Sequence, residues 1–167
     1  VFVGDEVQLE VSFAVARDRL RQLAEDGALL ATSEDAYDHG TTGLERVGIP
    51  GLSKLVRVQV RELAWTDQSV GLAIRWEATG SGGGLFPVLD ADLTISPIGE
   101  RVTILTLAGA YRPPLGAMGA ALDRAILHRV ASATIRAFLT QVGRRVAGQP
   151  AANGAGAGSP PAGTSLP

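Results

Sequence analysis

The chain has no cysteine among its 167 residues. That excludes a disulfide framework, a thiolate metal site and a cysteine nucleophile. Excess positive charge is also missing: the formal net charge is −2 and the isoelectric point about 5.7. No global field draws such a chain to phosphate backbones, so nucleic acid is not an expected partner. The opening VFVGDEVQLEV reaches charge at Asp5 and then alternates, which is not the apolar run of a signal peptide. No stretch approaches the roughly 18 consecutive apolar residues that a membrane-spanning helix needs. A cytoplasmic protein without a membrane span is expected.

What is present is apolar side chain in regular patterns. Hydrophobic residues make up 46% of the chain, enough for a sizeable core. In the first segment Val3, Val7, Leu9 and Val11 share one face and Glu6, Gln8 and Glu10 the other, the period of a half-buried strand. The spacing of Ala16, Leu20, Leu23 and Ala24 is helical, and Gly27 interrupts it. Two short helices are predicted, the second around Ala28 to Thr32. The polar stretch DHGTTGLERVGIPG follows, with a short strand expected near Thr42 to Val47.

The period then becomes two. Val56, Val58 and Val60 alternate with Arg57, Gln59 and Arg61, TDQS turns the chain, and Val70, Leu72, Ile74 and Trp76 alternate with Gly71, Ala73, Arg75 and Glu77. That is a hairpin, and a register placing Val60 opposite Ile74 also sets Arg57 opposite Glu77. Such an exposed pair contributes at most about 1 kcal/mol. After GSGGG at 80–84, a flexible connection, two further strands flank PIGE. In the first of them Leu89, Ala91, Leu93 and Ile95 oppose Asp90, Asp92, Thr94 and Ser96. The second is apolar on both sides, Val102 and Ile104 against Leu105 and Leu107, which leaves its register open.

A long helix is predicted over 115–146, about 45 Å at 1.5 Å per residue. Its apolar stripe runs through Leu115, Met118, Leu122, Ile126, Val130, Ala133 and Ala137, broadened by Leu127, Ile135, Phe138 and Val142. Arg124, His128, Ser132 and Arg136 mark the polar side, and Arg144 and Arg145 suit the negative end of the helix dipole. Residues 1–147 are expected to form one domain. Residues 148–167 lack charge and bulk and are expected to be a disordered tail.

An antiparallel sheet with one apolar face needs that face covered, and the late helix is the element long enough to do it. The expected fold is α+β: a curved antiparallel sheet of six or seven strands gripping a long C-terminal helix, with two short helices after strand one. The N-terminal strand running into VSFAVARDRLRQLAEDGALL, together with the ending YRPPLGAMGAALDRAILHRVASATIRAFLTQV, resembles the SRPBCC, or START-like, superfamily of helix-grip proteins. The resemblance spans roughly residues 1–147. It implies a cavity between sheet and C-terminal helix for lipids, sterols, polyketides or other apolar molecules, and a minority of enzymes, cyclases or hydrolases, among its members.

The lining of such a cavity would be Val58, Val60, Leu72, Ile74, Trp76, Leu89, Ala91 and Leu93 on the sheet, with Tyr111 at its mouth, against Met118, Leu122 and Ile126 on the helix. A solid core accounts for the same residues, because interiors normally pack without voids. If buried, the Trp76 indole needs a partner. Trp65, at a strand end, reads as a surface or rim residue. Tyr111 and Arg112 read as surface positions at the end of the last strand, with anchoring of a ligand oxygen as the alternative.

Chemistry-bearing patterns are few. His39 and His128 are not brought together by the sequence, and Glu34, Asp35, Asp38 and His39 match no metal-ligand spacing. GSGGG lacks the lysine of a phosphate loop, and no nucleophile elbow is present. Asp90 and Asp92 read as the solvated outer face. No catalytic residue, metal or cofactor is assigned. The expected function is a binding or carrier protein for a hydrophobic small molecule, monomeric or homodimeric. Two alternatives remain: a polyketide aromatase/cyclase-type enzyme using the same cavity, and a protein-interaction module in which Leu105 and Leu107 form a dimer face.

Overall fold

A computed structural model describes residues 1–45, 56–79, 88–112 and 124–149. The elements run β1 (Phe2–Leu9), α1 (Phe13–Glu25), α2 (Ala28–Glu45), β2 (Val56–Trp65), β3 (Val70–Ala78), β4 (Val88–Gly99), β5 (Val102–Arg112) and α3 (Arg124–Ala147). The strands form one antiparallel sheet in the order β1-β5-β4-β3-β2. All three helices pack on one face of it, so the architecture is the expected α+β helix-grip arrangement, with five strands among the described residues rather than six or seven.

Gly27, at φ 77°, takes the left-handed conformation that ends α1, and the Asp26 carboxylate accepts the Ala28 N–H at 2.9 Å to start α2. The second helix is 18 residues long and continues well past Thr32. Its polar composition hid it. Thr32, Ser33 and Thr42 each donate to the carbonyl four residues back, so hydroxyls that compete with helix in isolation are absorbed within it. The strand expected near Thr42 to Val47 is therefore corrected: residues 42–45 are helical, and the rest of that stretch lies outside the described residues.

The hairpin register is the predicted one, with Val60 opposite Ile74 and Arg57 opposite Glu77. A bulge between Glu62 and Ala64 then lets Trp65 pair with Val70. In β5 the ambiguity resolves inward for the odd-numbered residues. Leu105 pairs with Ile95 and Val7, and Leu107 with Leu93 and Asp5, which buries both leucines completely. The dimer face expected of Leu105 and Leu107 is thereby overturned, because they are core.

The buried stripe of α3 is centred on Leu127, Ala131, Ile135, Phe138, Val142 and Val146. Ile126, Ala133 and Ala137 flank it half-buried, so the expected stripe is rotated by about one residue. A Cβ on Gly143 would stand 3.3 Å from Val7 and 3.4 Å from Leu9, so the C-terminal half of α3 lies close on β1. There the helix end is held by Arg19, whose guanidinium donates to the Val146 carbonyl at 2.8 Å. Nearer its middle, bulky aromatics separate α3 from the sheet: Phe138 meets Trp76 edge to face at 5.5 Å.

Candidate functional site

Strand pairing assembles the inner face in transverse rows. Val58, Trp76, Leu89 and Tyr111 form one, and Val60, Ile74, Ala91 and Gly109 the next. Leu72 and Leu93 belong to a third. The nine sheet residues expected to line a cavity are thus neighbours on one surface. Seven of them are buried, while Val58 and Val60 on edge strand β2 are half-buried. On α3, Ile126 is half-buried; Met118 and Leu122 lie outside the described residues.

Among the described residues, side chains of the central strands and α3 pack on one another on the inner face. Trp76 is 0% exposed, packs on Phe138, and donates its indole N–H to the Ser33 carbonyl of α2 at 3.0 Å. Tyr111 is corrected from a surface position to a buried one, beside the His128 ring at 6.2 Å. Its row partner Leu89 and its place on the inner face explain the burial.

Cover is thinnest along β2. Val56, Val58, Val60 and Trp65 are all half-buried, whereas Val70, Leu72, Ile74 and Trp76 of β3 and Leu89, Ala91, Leu93 and Ile95 of β4 are buried. At the Trp65 end a cleft of about 460 Å³ opens between α1 and the β2–β3 hairpin, lined by Arg21, Ala24, Glu25, Val60, Glu62, Trp65 and Leu72. Val60, Trp65 and Leu72 give it apolar surface and Arg21, Glu25 and Glu62 give it charge, with Glu62 opposite Leu72 on the inner face. The Arg21 guanidinium lies 4.8 Å over the Trp65 ring, so the tryptophan is a rim residue as expected. The cleft sits between the sheet and α1, not between the sheet and α3.

The outer face carries a second groove of about 420 Å³, lined by residues including Gln59, Arg61, Arg75, Asp90 and Asp92. Here Asp90 accepts from Arg75 at 3.0 Å and from Arg112 at 2.6 Å, and Glu77 lies 3.7 Å from Arg75. Of the polar groups a cyclase would draw on, Arg75 and Arg112 therefore belong to the outer face and His128 is exposed. Only Tyr111 is on the inner one. His39 is exposed on α2, and no group of three or more potential metal-ligating side chains occurs among the described residues.

Sequence reasoning missed Tyr37. It is 5% exposed on α2, its hydroxyl is buried with no hydrogen-bond partner among the described residues, and burial raises its pKa above the ordinary value near 10. The signal was present: Ser33, Ala36, Tyr37 and Gly40 share a helical face, which reads as core once α2 is extended.

No protein-family model matches the chain, and no curated protein does. Solved structures similar to it include TTHA0849 from Thermus thermophilus, at 15% identity over 87% of this chain and 97% of that one, with a TM-score of 0.42. The Zhui aromatase/cyclase from a Streptomyces species is 13% identical over 87% and 95%, with a TM-score of 0.29. Norcoclaurine synthase from Thalictrum flavum, solved with dopamine and hydroxybenzaldehyde, is 9% identical over 81% and 84%, with a TM-score of 0.28. Likenesses this distant carry no chemistry to this chain, whose fold rests on its own strand order and helices.

Proposed function

We propose that this chain is a binding or carrier protein for a hydrophobic small molecule, and a member of the SRPBCC, START-like superfamily. The observation that carries the reading is the uneven cover of the inner face. Aromatic and aliphatic packing closes it over the central strands β3 to β5, while the apolar side chains of β2 stay half-buried beside a cleft of about 460 Å³. That size falls within the range of small-molecule sites, whose linings combine apolar surface with a few polar groups. The ligand would enter past Arg21 and Trp65 and lie against Val60 and Leu72.

The test is native mass spectrometry of protein purified from a lipid-rich host, joined to titration with anilinonaphthalene sulfonate. A reproducible co-purifying mass and saturable fluorescence enhancement are expected. In Ala24→Trp, which places an indole across the cleft, uptake should fall about tenfold with the fold intact. Absence of both a bound mass and saturable binding in the unaltered protein would reject the reading.

A further inference from the structure

Successive turns of α1 meet the end of the β2–β3 hairpin one by one. Arg17 donates to Asp67 in the hairpin turn at 3.3 Å. One turn on, Arg21 stands 4.8 Å over the Trp65 ring. Both contacts are attractive. The next turn breaks the pattern: Glu25 of α1 and Glu62 of β2 line the same cleft of about 460 Å³, and neither carboxylate makes an ion pair among the described residues.

Glu62 also interrupts its own strand. Val56, Val58 and Val60 set the inner row of β2, and the next place in that row, opposite buried Leu72, holds a carboxylate. The arginines of α1 are engaged away from it: Arg17 with Asp18 and Asp67, Arg19 with the Val146 carbonyl, and Arg21 with Trp65. Even with Arg21 counted, the lining has two carboxylates to one guanidinium, and a cleft lined with an excess of one sign concentrates the opposite one. Beside these charges lies the apolar surface of Val60, Trp65 and Leu72.

We propose that this cleft selects an apolar ligand bearing one positive charge, an alkyl or arylalkyl amine, whose ammonium pairs with Glu25 and Glu62 while its apolar body lies against Val60 and Leu72. The inference rests on the carrier reading above and names the ligand class. An anionic amphiphile would face two carboxylates and would have to draw Arg21 off the tryptophan. A bare metal ion fits poorly, because no group of three or more potential metal-ligating side chains occurs among the described residues.

The probes are naphthylethylamine, naphthylethanol and naphthylacetate, alike in their apolar body and differing in charge, titrated calorimetrically into the full chain. The amine is expected to bind about fivefold more tightly than the alcohol at about 20 mM salt, the acetate weakest, and the lead should shrink at about 300 mM. In the double variant Glu25→Gln/Glu62→Gln the lead should vanish with alcohol affinity kept, and the acetate and anilinonaphthalene sulfonate should both gain. Each single variant keeps one carboxylate and should show an intermediate lead, which carries the test should the double variant fail to fold. Equal binding of amine and alcohol, or tightest binding of the acetate, overturns the charge selection and leaves the carrier reading standing. So does an amine lead that survives in the variants. An inward charge on an edge strand can also serve only to block pairing with another sheet; Glu62→Gln would then raise self-association in sedimentation with the probe order untouched, which overturns the proposal. Binding of none of the probes to the unaltered protein overturns both readings.

Discussion

The indole of Trp76 and the carbonyl of Ser33 meet at 3.0 Å, tying β3 to the first half of α2 across the core. A buried indole N–H would otherwise be unsatisfied, and the same ring packs edge to face on Phe138 of α3. One side chain therefore joins the sheet to two helices. Trp76→Phe removes the donor and part of the volume, and is expected to destabilise the protein by about 2 kcal/mol in urea unfolding. Trp65→Phe, at the rim under Arg21, should cost less than about 1 kcal/mol.

Gly40 reverses a general rule. Alanine in place of glycine inside a helix ordinarily stabilises by up to about 1 kcal/mol. A Cβ on Gly40 would overlap Thr134 Oγ1 and approach the Val130 carbonyl at 3.0 Å, so α2 and α3 would have to part. Gly40→Ala is expected to destabilise by about 1–3 kcal/mol. A thermal midpoint equal to or above that of the unaltered protein would show that the two helices do not touch there.

How far the sequence revealed this depends on the residue. Along β3 the strict alternation of Val70, Leu72, Ile74 and Trp76 with smaller or charged residues made both the face and the hairpin register readable. In β5, Ile104 and Leu105 are both large and apolar, so alternation alone could not say which faces inward; pairing with β1 and β4 decides it. The extent of α2 was hidden by threonine, serine, aspartate and glycine, whose helical state here depends on back-bonded hydroxyls and on packing against α3. With the second helix ended near Thr32, Tyr37 lay beyond it. The rows of the inner face were readable; which of them is covered was not, because cover is set by where α1 and α2 settle.

Asp90 bridges Arg75 and Arg112 on the outer face, where all three side chains reach solvent. Asp90→Asn is expected to lower stability by no more than about 1 kcal/mol, and the loss should shrink as salt rises. Hydrophobic-probe binding should be unchanged, because the inner face is on the other side of the sheet. Weaker probe binding in this variant, with stability held, would move the site to the outer groove.

Tyr37 also sets an alkaline limit. Its pKa is raised by burial above the ordinary tyrosine value near 10. Below that value folded and unfolded chains both hold the proton, and its contribution to stability is fully present. As pH rises further the unfolded chain releases the proton while the folded one keeps it, so unfolding gains. Stability should then fall by up to about 1.4 kcal/mol per pH unit from this group, until the folded pKa is reached. Tyr37→Phe lacks the term, so its urea midpoint should decline less steeply than that of the unaltered protein between about pH 9.5 and pH 11.5. Absorbance near the phenolate band should show the Tyr37 phenol ionising only as the protein unfolds. Parallel midpoints for the two proteins would mean that the Tyr37 hydroxyl reaches solvent or a charged partner in the folded state, and that the orphaned phenol is not a property of the molecule in solution.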